Sequence, residues 1–326
     1  MIGIIGGSGF LGTALVSRLA LSKHDVHCYD LVAPPGDVAF TIADVEELEF
    51  ASGLECSSTL INLAAVHRDD IKPLSRYFDV NVKGAESVCA AATKHGVRQI
   101  IFTSSVAIYG FASPDTDESG DPNPFNEYGR TKYLAEQVYL RWQQERPEER
   151  SLVVVRPTVI FGPGNRGNVY NLFRQIADRR FLMVGAGTNV KSMAYVENVA
   201  AFLEASLAFG PGVHVFNYVD KPDLSVRELI CTVRETLFGK RSLGPRLPAG
   251  CGLLIGRAFD FLSLLSRRSF PVSSIRMKKF MATTQFRSAV ADTQFVPPYT
   301  LEEGLVKTIR YEFLESNRGK PTFDTE

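Results

Sequence analysis

The chain has 326 residues, enough for one large or two modest domains, and its 45% hydrophobic and 22% charged residues are typical of a soluble globular protein. Lysine plus arginine and aspartate plus glutamate both number 36, so the overall charge favours neither nucleic acid nor a membrane surface as a partner. The five cysteines are scattered without a metal-ligand spacing, which indicates reduced thiols, no metal site and a cytoplasmic setting.

Short apolar runs of strand length alternate with longer segments of helical periodicity along the first half of the chain. Such alternation predicts an α/β fold with a doubly wound parallel sheet of the Rossmann type, because right-handed crossovers place helices on both faces. The ligand of such a sheet binds at the carboxyl ends of its strands. The predicted strands are residues 2–5, 26–29, 60–64, 99–103 and 152–155, and the predicted helices are residues 11–21, 46–51, 74–95 and 128–144.

Beyond residue 157 the pattern becomes less regular and richer in glycine and proline, which predicts a smaller C-terminal α/β substrate lobe. We therefore divide the chain into a Rossmann domain at 1–157, a mainly substrate-binding lobe at 158–316 and a flexible tail at 317–326. The predicted elements of the lobe are helices near residues 169–178, 226–238 and 302–315 and a strand near 213–218, with Ser225 as a helix cap.

An apolar stretch at residues 251–265 is interrupted by Arg257 and Asp260. It is shorter than the roughly 18 to 20 residues that a membrane span needs, so no transmembrane span is predicted. We interpret the stretch as an amphipathic helix that covers a pocket or the core, with a membrane-surface segment as the alternative.

A glycine-rich turn, with Gly6, Gly9 and Gly12 at three-residue intervals, follows the first predicted strand and opens the first predicted helix. Glycine lets a ligand approach the backbone closely, and the N–H groups and positive dipole of a helix N-terminus attract a pyrophosphate, so the turn predicts a dinucleotide site. Asp30 ends the second strand, where a carboxylate can accept both hydroxyls of an adenosine ribose. Because no arginine or lysine follows closely to hold a 2′-phosphate, the predicted cofactor is NAD, not NADP.

Tyr128 and Lys132 are four residues apart at the start of a predicted helix, so their side chains share one face. A nearby ammonium group favours the phenolate form of a tyrosine, whose unperturbed pKa near ~10 is too high for a base at neutral pH. A tyrosine tuned in this way can exchange a proton with an alcohol while a hydride moves to or from the same carbon. The spacing alone is common on solvated helix faces, and the glycine-rich turn supplies its context.

Over nearly its whole length the chain resembles the extended short-chain dehydrogenase/reductase family, in particular its nucleotide-sugar epimerases and 4-ketoreductases. The motifs that carry the resemblance are GGSGFLG at 6–12, ADV at 43–45, NLAA at 62–65, NVKG at 81–84, FTSSVAIYG at 102–110, Tyr128-x-x-x-Lys132, Arg156-Pro157 and YVENVA at 195–200.

The resemblance implies a role for each matching residue. Ser105 would hydrogen-bond the sugar oxygen that Tyr128 protonates or deprotonates. Because Thr103 and Ser104 precede it, this assignment stays open by one position. Lys132 would also hold the nicotinamide ribose. The implied cofactor residues are Gly6, Gly9, Phe10, Leu11, Gly12, Asp30, Asp44, Val45, Ala64, Ala65, Asn81, Tyr128, Lys132 and Pro157. Asp44, Val45, Ala64, Ala65 and Asn81 could alternatively be packing or capping residues.

In the second lobe the resemblance implies that Asn168 and Lys191 bind the diphosphate of a nucleotide sugar, with Ser105 near the sugar. Arg276 is a further phosphate-binding candidate, or else a solvated surface arginine. The resemblance also implies a homodimer, with a four-helix seam formed by the helices at 74–95 and 128–144.

Val106 and Ala107 exclude one reaction of the family. Sugar 4,6-dehydratases carry an Asp-Glu pair directly after the serine or threonine, because eliminating water needs an additional acid and base, and neither residue here can transfer a proton.

We therefore expect an NAD-dependent nucleotide-sugar epimerase that oxidises a sugar hydroxyl, at C4, of a UDP-linked substrate and then reduces the keto intermediate. A nucleotide-sugar 4-ketoreductase that consumes NAD(P)H is the first alternative, because it uses the same Ser-Tyr-Lys set. A steroid-type dehydrogenase and a non-catalytic cofactor-sensing protein are further alternatives.

Overall fold

The computed structural model describes residues 1–68, 71–248, 250 and 282–325, and its centre is a seven-stranded parallel sheet. The strands cross the sheet in the order β3-β2-β1-β4-β5-β6-β11, with every neighbouring pair parallel, so the predicted doubly wound sheet is confirmed. They are β1 (Ile2–Ile5), β2 (Val26–Asp30), β3 (Ala39–Ile42), β4 (Thr59–Asn62), β5 (Gln99–Thr103), β6 (Ser151–Pro157) and β11 (Gly212–Tyr218).

The central strands β1, β4, β5 and β6 are buried along their whole length. Helices cover both of their faces, which explains why these strands are continuous apolar runs in the sequence. The strand order changes direction between β1 and β4, and a crevice at such a switch point is where sheets of this kind bind their ligands.

Two pairs of helices form the outer layers. On one face α1 (Phe10–Leu21) packs against α6 (Val196–Ala205), and on the other α3 (Gly84–His95) packs beside α4 (Glu127–Gln144). The helix expected at 74–95 is present as α2 (Ser75–Phe78), a π turn and α3.

The second lobe consists of three helices and three short two-stranded sheets in the described part of the chain. Phe173, Ile230 and Leu305 lie in its core, against which Phe10 and Leu11 of α1 also pack, so the two lobes share apolar contacts. Its elements are β7 (Val159–Phe161), α5 (Asn168–Ala177), β8 (Met183–Val184), β9 (Val190–Lys191), β10 (Met193–Tyr195), β12 (Leu224–Ser225), α7 (Val226–Phe238), β13 (Arg246–Leu247) and α8 (Leu301–Phe313).

Helix α7 begins where the sequence predicts, because Ser225 and Glu228 form a capping box. The division of the chain at residue 157 stays a prediction. In space, the segment from α6 to β11 returns to the main sheet after the chain has entered the second lobe.

No helix of the described residues combines the length and the apolarity needed to cross a membrane. The apolar stretch at 251–265 lies outside the described residues, so its predicted amphipathic helix stays a prediction.

Asp220, just beyond β11, joins the main sheet to the second lobe. Its carboxylate is 2% exposed and accepts hydrogen bonds from the Tyr195 amide at 2.6 Å, Asn198 Nδ2 at 3.0 Å and the Tyr218 hydroxyl at 3.2 Å. Burial raises the pKa of Asp220 to about 6, and the three hydrogen bonds oppose that rise. A buried carboxyl with a raised pKa makes stability depend on pH.

The free energy of unfolding should fall as pH rises from about 4 to about 6, because in this window the folded protein holds a proton on Asp220 that the unfolded chain has released. The shift corresponds to about 3 kcal/mol. We expect urea unfolding of Asp220→Asn to lack this part of the slope, while Asp37→Asn, at an exposed position, keeps it. Parallel pH profiles for wild type and Asp220→Asn would contradict the assignment.

Candidate active site

The glycine-rich turn between β1 and α1 leaves no space for a side chain at Gly6 or Gly12. Gly6 has a left-handed φ of +81°, and a Cβ there would lie 2.7 Å from the backbone nitrogen of Ala64. A Cβ on Gly12 would overlap the carbonyl group of Gly6. Gly9, the N-cap of α1, has no side-chain acceptor, so the amides of the first turn at Phe10 and Leu11 face outward without a side-chain cap. The turn therefore fits a pyrophosphate.

The carboxylate of Asp30 is held in place by two backbone amides. The Ser8 amide donates to its Oδ2 at 2.9 Å and the Leu31 amide donates to its Oδ1 at 2.7 Å. The carboxylate thus lies beside the glycine-rich turn at the carboxyl end of β2, where it can accept ribose hydroxyls. The turn and Asp30 together fit the adenosine and pyrophosphate of NAD.

Asp44 and Val45 have the capping and packing contacts that the sequence left open. Asp44 Oδ1 accepts a hydrogen bond from the Glu46 amide at 3.0 Å, and Val45 is buried against Gly84 of α3. Their contact with adenine stays a prediction.

Asn81, in the π turn before α3, holds together the loop after β4 and the catalytic helix. Its Oδ1 accepts from the Val66 amide at 2.9 Å, and its Nδ2 donates to the Val66 carbonyl at 3.1 Å and to Thr131 Oγ1 at 2.9 Å. Ala64 and Ala65 precede this point, and the Ala64 amide donates to Asn62 Oδ1 at 3.0 Å. Asn81 therefore positions the loop that the sequence assigns to the cofactor.

Ser105 and Tyr128 meet at the carboxyl end of β5. The Ser105 side chain lies close enough to the phenol of Tyr128 to lower its pKa, and Ser105 Oγ accepts a hydrogen bond from the Ala107 amide at 3.1 Å. Asn126 caps α4 by accepting from the Gly129 amide at 2.9 Å, which fixes the turn that carries Tyr128. Burial raises the pKa of Tyr128, and the hydrogen bond from Ser105 lowers it in part.

Lys132 is buried one turn further along α4. Its Nζ donates to the Thr103 carbonyl at 2.7 Å and lies 4.8 Å from the centre of the Phe102 ring. Burial lowers the pKa of Lys132 to about 7, and the carboxylate of Glu136 raises it. The ammonium group of Lys132 therefore lies at the carboxyl end of β5. That it lowers the pKa of Tyr128 stays a prediction.

A buried ion pair that the sequence motifs do not predict lies behind the catalytic helix. Arg156 of β6 donates from Nε to Glu136 Oε1 at 3.0 Å and from Nη2 to Oε2 at 2.7 Å. Its Nη1 donates to the Tyr109 hydroxyl at 2.7 Å, and that hydroxyl donates to Asn217 at 2.9 Å. The pair joins α4 to the turn after Ser105 and to β6, which ends at the predicted cofactor residue Pro157.

Two signals in the sequence could have found further members of this site. Glu136 follows Lys132 by four residues and so shares its helix face. His67 comes five residues after the end of β4, shortly after the predicted cofactor residues Ala64 and Ala65, and its Nδ1 lies 3.4 Å from the Ala65 carbonyl oxygen.

The predicted substrate residues are spread around the second lobe. Asn168 is exposed at the first position of α5, and Lys191 is half-buried in β9, where burial lowers its pKa to about 8. Arg276 lies outside the described residues. Their contacts with a substrate stay predictions.

Comparison with known proteins agrees with the fold and the cofactor turn. The sequence model of the NAD dependent epimerase/dehydratase family matches residues 2–217. The chain belongs to this family. Its members use NAD, so the predicted cofactor and the predicted enzyme class are confirmed at the level of the family.

Two curated relatives cover nearly the whole chain. The N-acetyl-alpha-D-glucosaminyl-diphospho-ditrans,octacis-undecaprenol 4-epimerase of Escherichia coli O157:H7 is 46% identical over 99% of this chain and 98% of its own length. The UDP-glucose 4-epimerase of Vibrio cholerae is 25% identical over 96% of this chain and 95% of its own length.

Solved structures show the same fold at lower identity. MoeE5 in complex with UDP-glucose and NAD superposes with a TM-score of 0.73 and 24% identity over 95% of this chain and 97% of its own. The UDP-N-acetylglucosamine 4-epimerase of Bacillus cereus has a TM-score of 0.74 and 17% identity over 96% of this chain and 99% of its own.

We expect Glu136→Gln to lower the pH at which turnover is lost as the pH is raised. Turnover should fall as pH rises through the pKa of Lys132, because the ammonium form is lost. Removing the carboxylate leaves burial and the charge of Arg156 unopposed, so the midpoint should drop by about one pH unit or more.

The measurement is the pH profile of kcat with NAD saturating, in protein shown to be folded by circular dichroism. Glu145→Gln is the matched control, because Glu145 pairs with Arg150 at the far end of α4. An unchanged midpoint in Glu136→Gln would disprove the role of Glu136.

Proposed function

We propose that this chain is an NAD-dependent sugar 4-epimerase that oxidises the C4 hydroxyl of a diphosphate-linked hexose and then reduces the ketone from the opposite face. The observation that supports it most is the placement of Ser105 beside Tyr128 at the end of β5, in a chain 46% identical to a 4-epimerase over 99% of its length.

The three catalytic side chains have different tasks in this proposal. Tyr128 takes the proton of the C4 hydroxyl and later returns it, while Ser105 hydrogen-bonds the same oxygen. Lys132 holds the nicotinamide ribose and favours the phenolate of Tyr128. Bound NAD would supply the hydride acceptor, and its oxidised nicotinamide ring would contribute a positive charge.

The residues after Ser105 support epimerisation over elimination. Val106 and Ala107 form the turn in which the Ala107 amide bonds Ser105, so this turn offers structure but no acid or base. A 4-keto intermediate formed here therefore keeps its other substituents and can only be reduced again.

The substrate that we propose is an N-acetylhexosamine joined through a diphosphate to a polyprenol. The name of the 46% identical E. coli enzyme supports this carrier, since identity at that level extends over both chains. A UDP-linked sugar, as expected from the sequence, is the second candidate, which the V. cholerae relative at 25% identity supports. Asn168 and Lys191 would bind the diphosphate that both carriers share.

The test is incubation of the purified protein and NAD with N-acetylglucosaminyl diphosphoundecaprenol in detergent and, separately, with UDP-N-acetylglucosamine and UDP-glucose. We expect NMR of the released sugars to show the C4 epimer without net NADH formation. Conversion of UDP-sugars alone would overturn the lipid carrier but keep the epimerase. No conversion of any of these substrates would overturn the epimerase. If the protein oxidises NADH or NADPH stoichiometrically in a separate incubation with a 4-keto sugar and epimerises none of the substrates, it is a 4-ketoreductase.

In the same assay Tyr128→Phe should reduce kcat by roughly 10²–10⁴-fold, the usual contribution of a positioned acid–base group. Tyr133→Phe serves as the matched control, because Tyr133 is half-buried on α4 against Ile108 and Tyr109. Both variants should retain NAD binding, since only the phenolic hydroxyl is removed.

We also propose that the enzyme is a homodimer whose seam is formed by α3 and α4. Both helices lie on the same face of the sheet, and Leu74 and Phe78, which precede α3, are exposed apolar side chains. Light scattering coupled to size exclusion should give twice the mass of one chain, and a monomeric mass across a dilution series would contradict the seam.

A further inference from the structure

Residues 321–325 lie along the loop at residues 162–168, which we call the substrate loop because it leads into Asn168. The Phe323 amide donates to the Gly164 carbonyl at 2.9 Å, and the Arg166 amide donates to the Phe323 carbonyl at 2.8 Å. This is a parallel β-bridge between Asn165 and Phe323. A segment more than 150 residues distant in sequence thus supplies backbone partners to the loop.

A side-chain contact reinforces the bridge. The Thr325 hydroxyl donates to Asn165 Oδ1 at 2.6 Å, and the same oxygen accepts from the Gly167 amide at 2.8 Å. Asn165 Nδ2 donates to the Ile160 carbonyl at 3.1 Å, so the buried amide of Asn165 is fixed at both ends. Thr325 is therefore part of the network that shapes the backbone immediately before Asn168.

Phe323 connects the same loop to the cofactor turn. Its ring centre lies 5.7 Å from that of Phe10, the first residue of α1. The Phe10 ring in turn packs close to Gly162, where an added Cβ would lie 3.2 Å from the ring. The glycine-rich turn, the substrate loop and residues 321–325 consequently meet at one aromatic contact.

Glu312 of α8 fixes the loop from a second side. Its Oε1 accepts from the Gly164 amide and its Oε2 from Arg166 Nη1, both at 2.7 Å. The loop contains three glycines, whose freedom in the absence of such contacts makes ordering expensive in entropy. Contacts that order the loop before substrate arrives should therefore strengthen substrate binding.

The geometry points to Phe323 and Thr325 as positioning residues that hold the substrate loop in the conformation that binds the diphosphate of the sugar substrate. The inference rests on the proposed function, in which Asn168 contacts that diphosphate. Residues 321–325 alternate like a strand: Phe323 and Thr325 are half-buried against the loop, and Thr322 and Asp324 are exposed.

This alternation provides a matched pair of variants, Thr325→Val on the inner face and Thr322→Val on the outer face. Thr325→Val should raise KM for the diphosphate-linked sugar about three- to tenfold, the usual worth of one hydrogen bond, with kcat and the Kd of NAD within about twofold of wild type. Thr325→Ser should restore the wild-type KM, and Thr322→Val should not change it. Phe323→Ala combined with Thr325→Val should raise KM further.

Hydrogen exchange at the Arg166 and Gly167 amides provides a readout that does not need turnover. Exchange should accelerate in Thr325→Val and in the double variant but not in Thr322→Val. Unchanged exchange and unchanged KM in the double variant would overturn the inference, as would a lower KM, which would make the segment an inhibitory cover. If wild type converts no sugar while exchange accelerates as expected, the proposed function fails and the ordering of the loop stands.

Discussion

The buried pair of Glu136 and Arg156 is the constraint on which the geometry of the candidate site depends. Through it the helix of Tyr128 and Lys132 is fixed to the strand that ends at Pro157, and through Tyr109 it reaches the turn of Ser105. Breaking a buried ion pair leaves an uncompensated buried charge, so these two side chains tolerate little displacement. The separate parts of the site are thus held at one relative position by a buried contact behind the catalytic helix.

The same pair limits how the charge of Lys132 can be compensated. Glu136 is shared between the arginine, which it binds with both oxygens, and the lysine one turn away. Its charge is therefore only partly available to Lys132, whose pKa burial still lowers. The result is a lysine that is easily deprotonated for its type, beside a tyrosine whose pKa burial raises. Burial thus favours the uncharged form of both side chains. The positive charge of a bound, oxidised nicotinamide would change that balance.

The parts of this site that depend on local chemistry could be predicted from the sequence. Strand, turn and helix around Gly6 and Gly12, the acid at Asp30 and the spacing of Tyr128 and Lys132 are local patterns with a physical reason for each residue. The pairing of Glu136 with Arg156 and the bridge between Asn165 and Phe323 join residues whose proximity the fold alone determines. Asp44 and Val45 belong to a local motif that the resemblance assigns to the cofactor. In the structure, however, Asp44 caps a helical turn and Val45 packs against Gly84.

The two amides that hold Asp30 have a consequence for how long a dinucleotide stays bound. The rotamer of that carboxylate is selected during folding, so its side-chain entropy is not lost again when a ribose arrives. Preorganisation of this kind mainly slows dissociation. Slow release suits an enzyme that regenerates its own oxidant in every cycle, since such an enzyme gains nothing from exchanging the cofactor between turnovers.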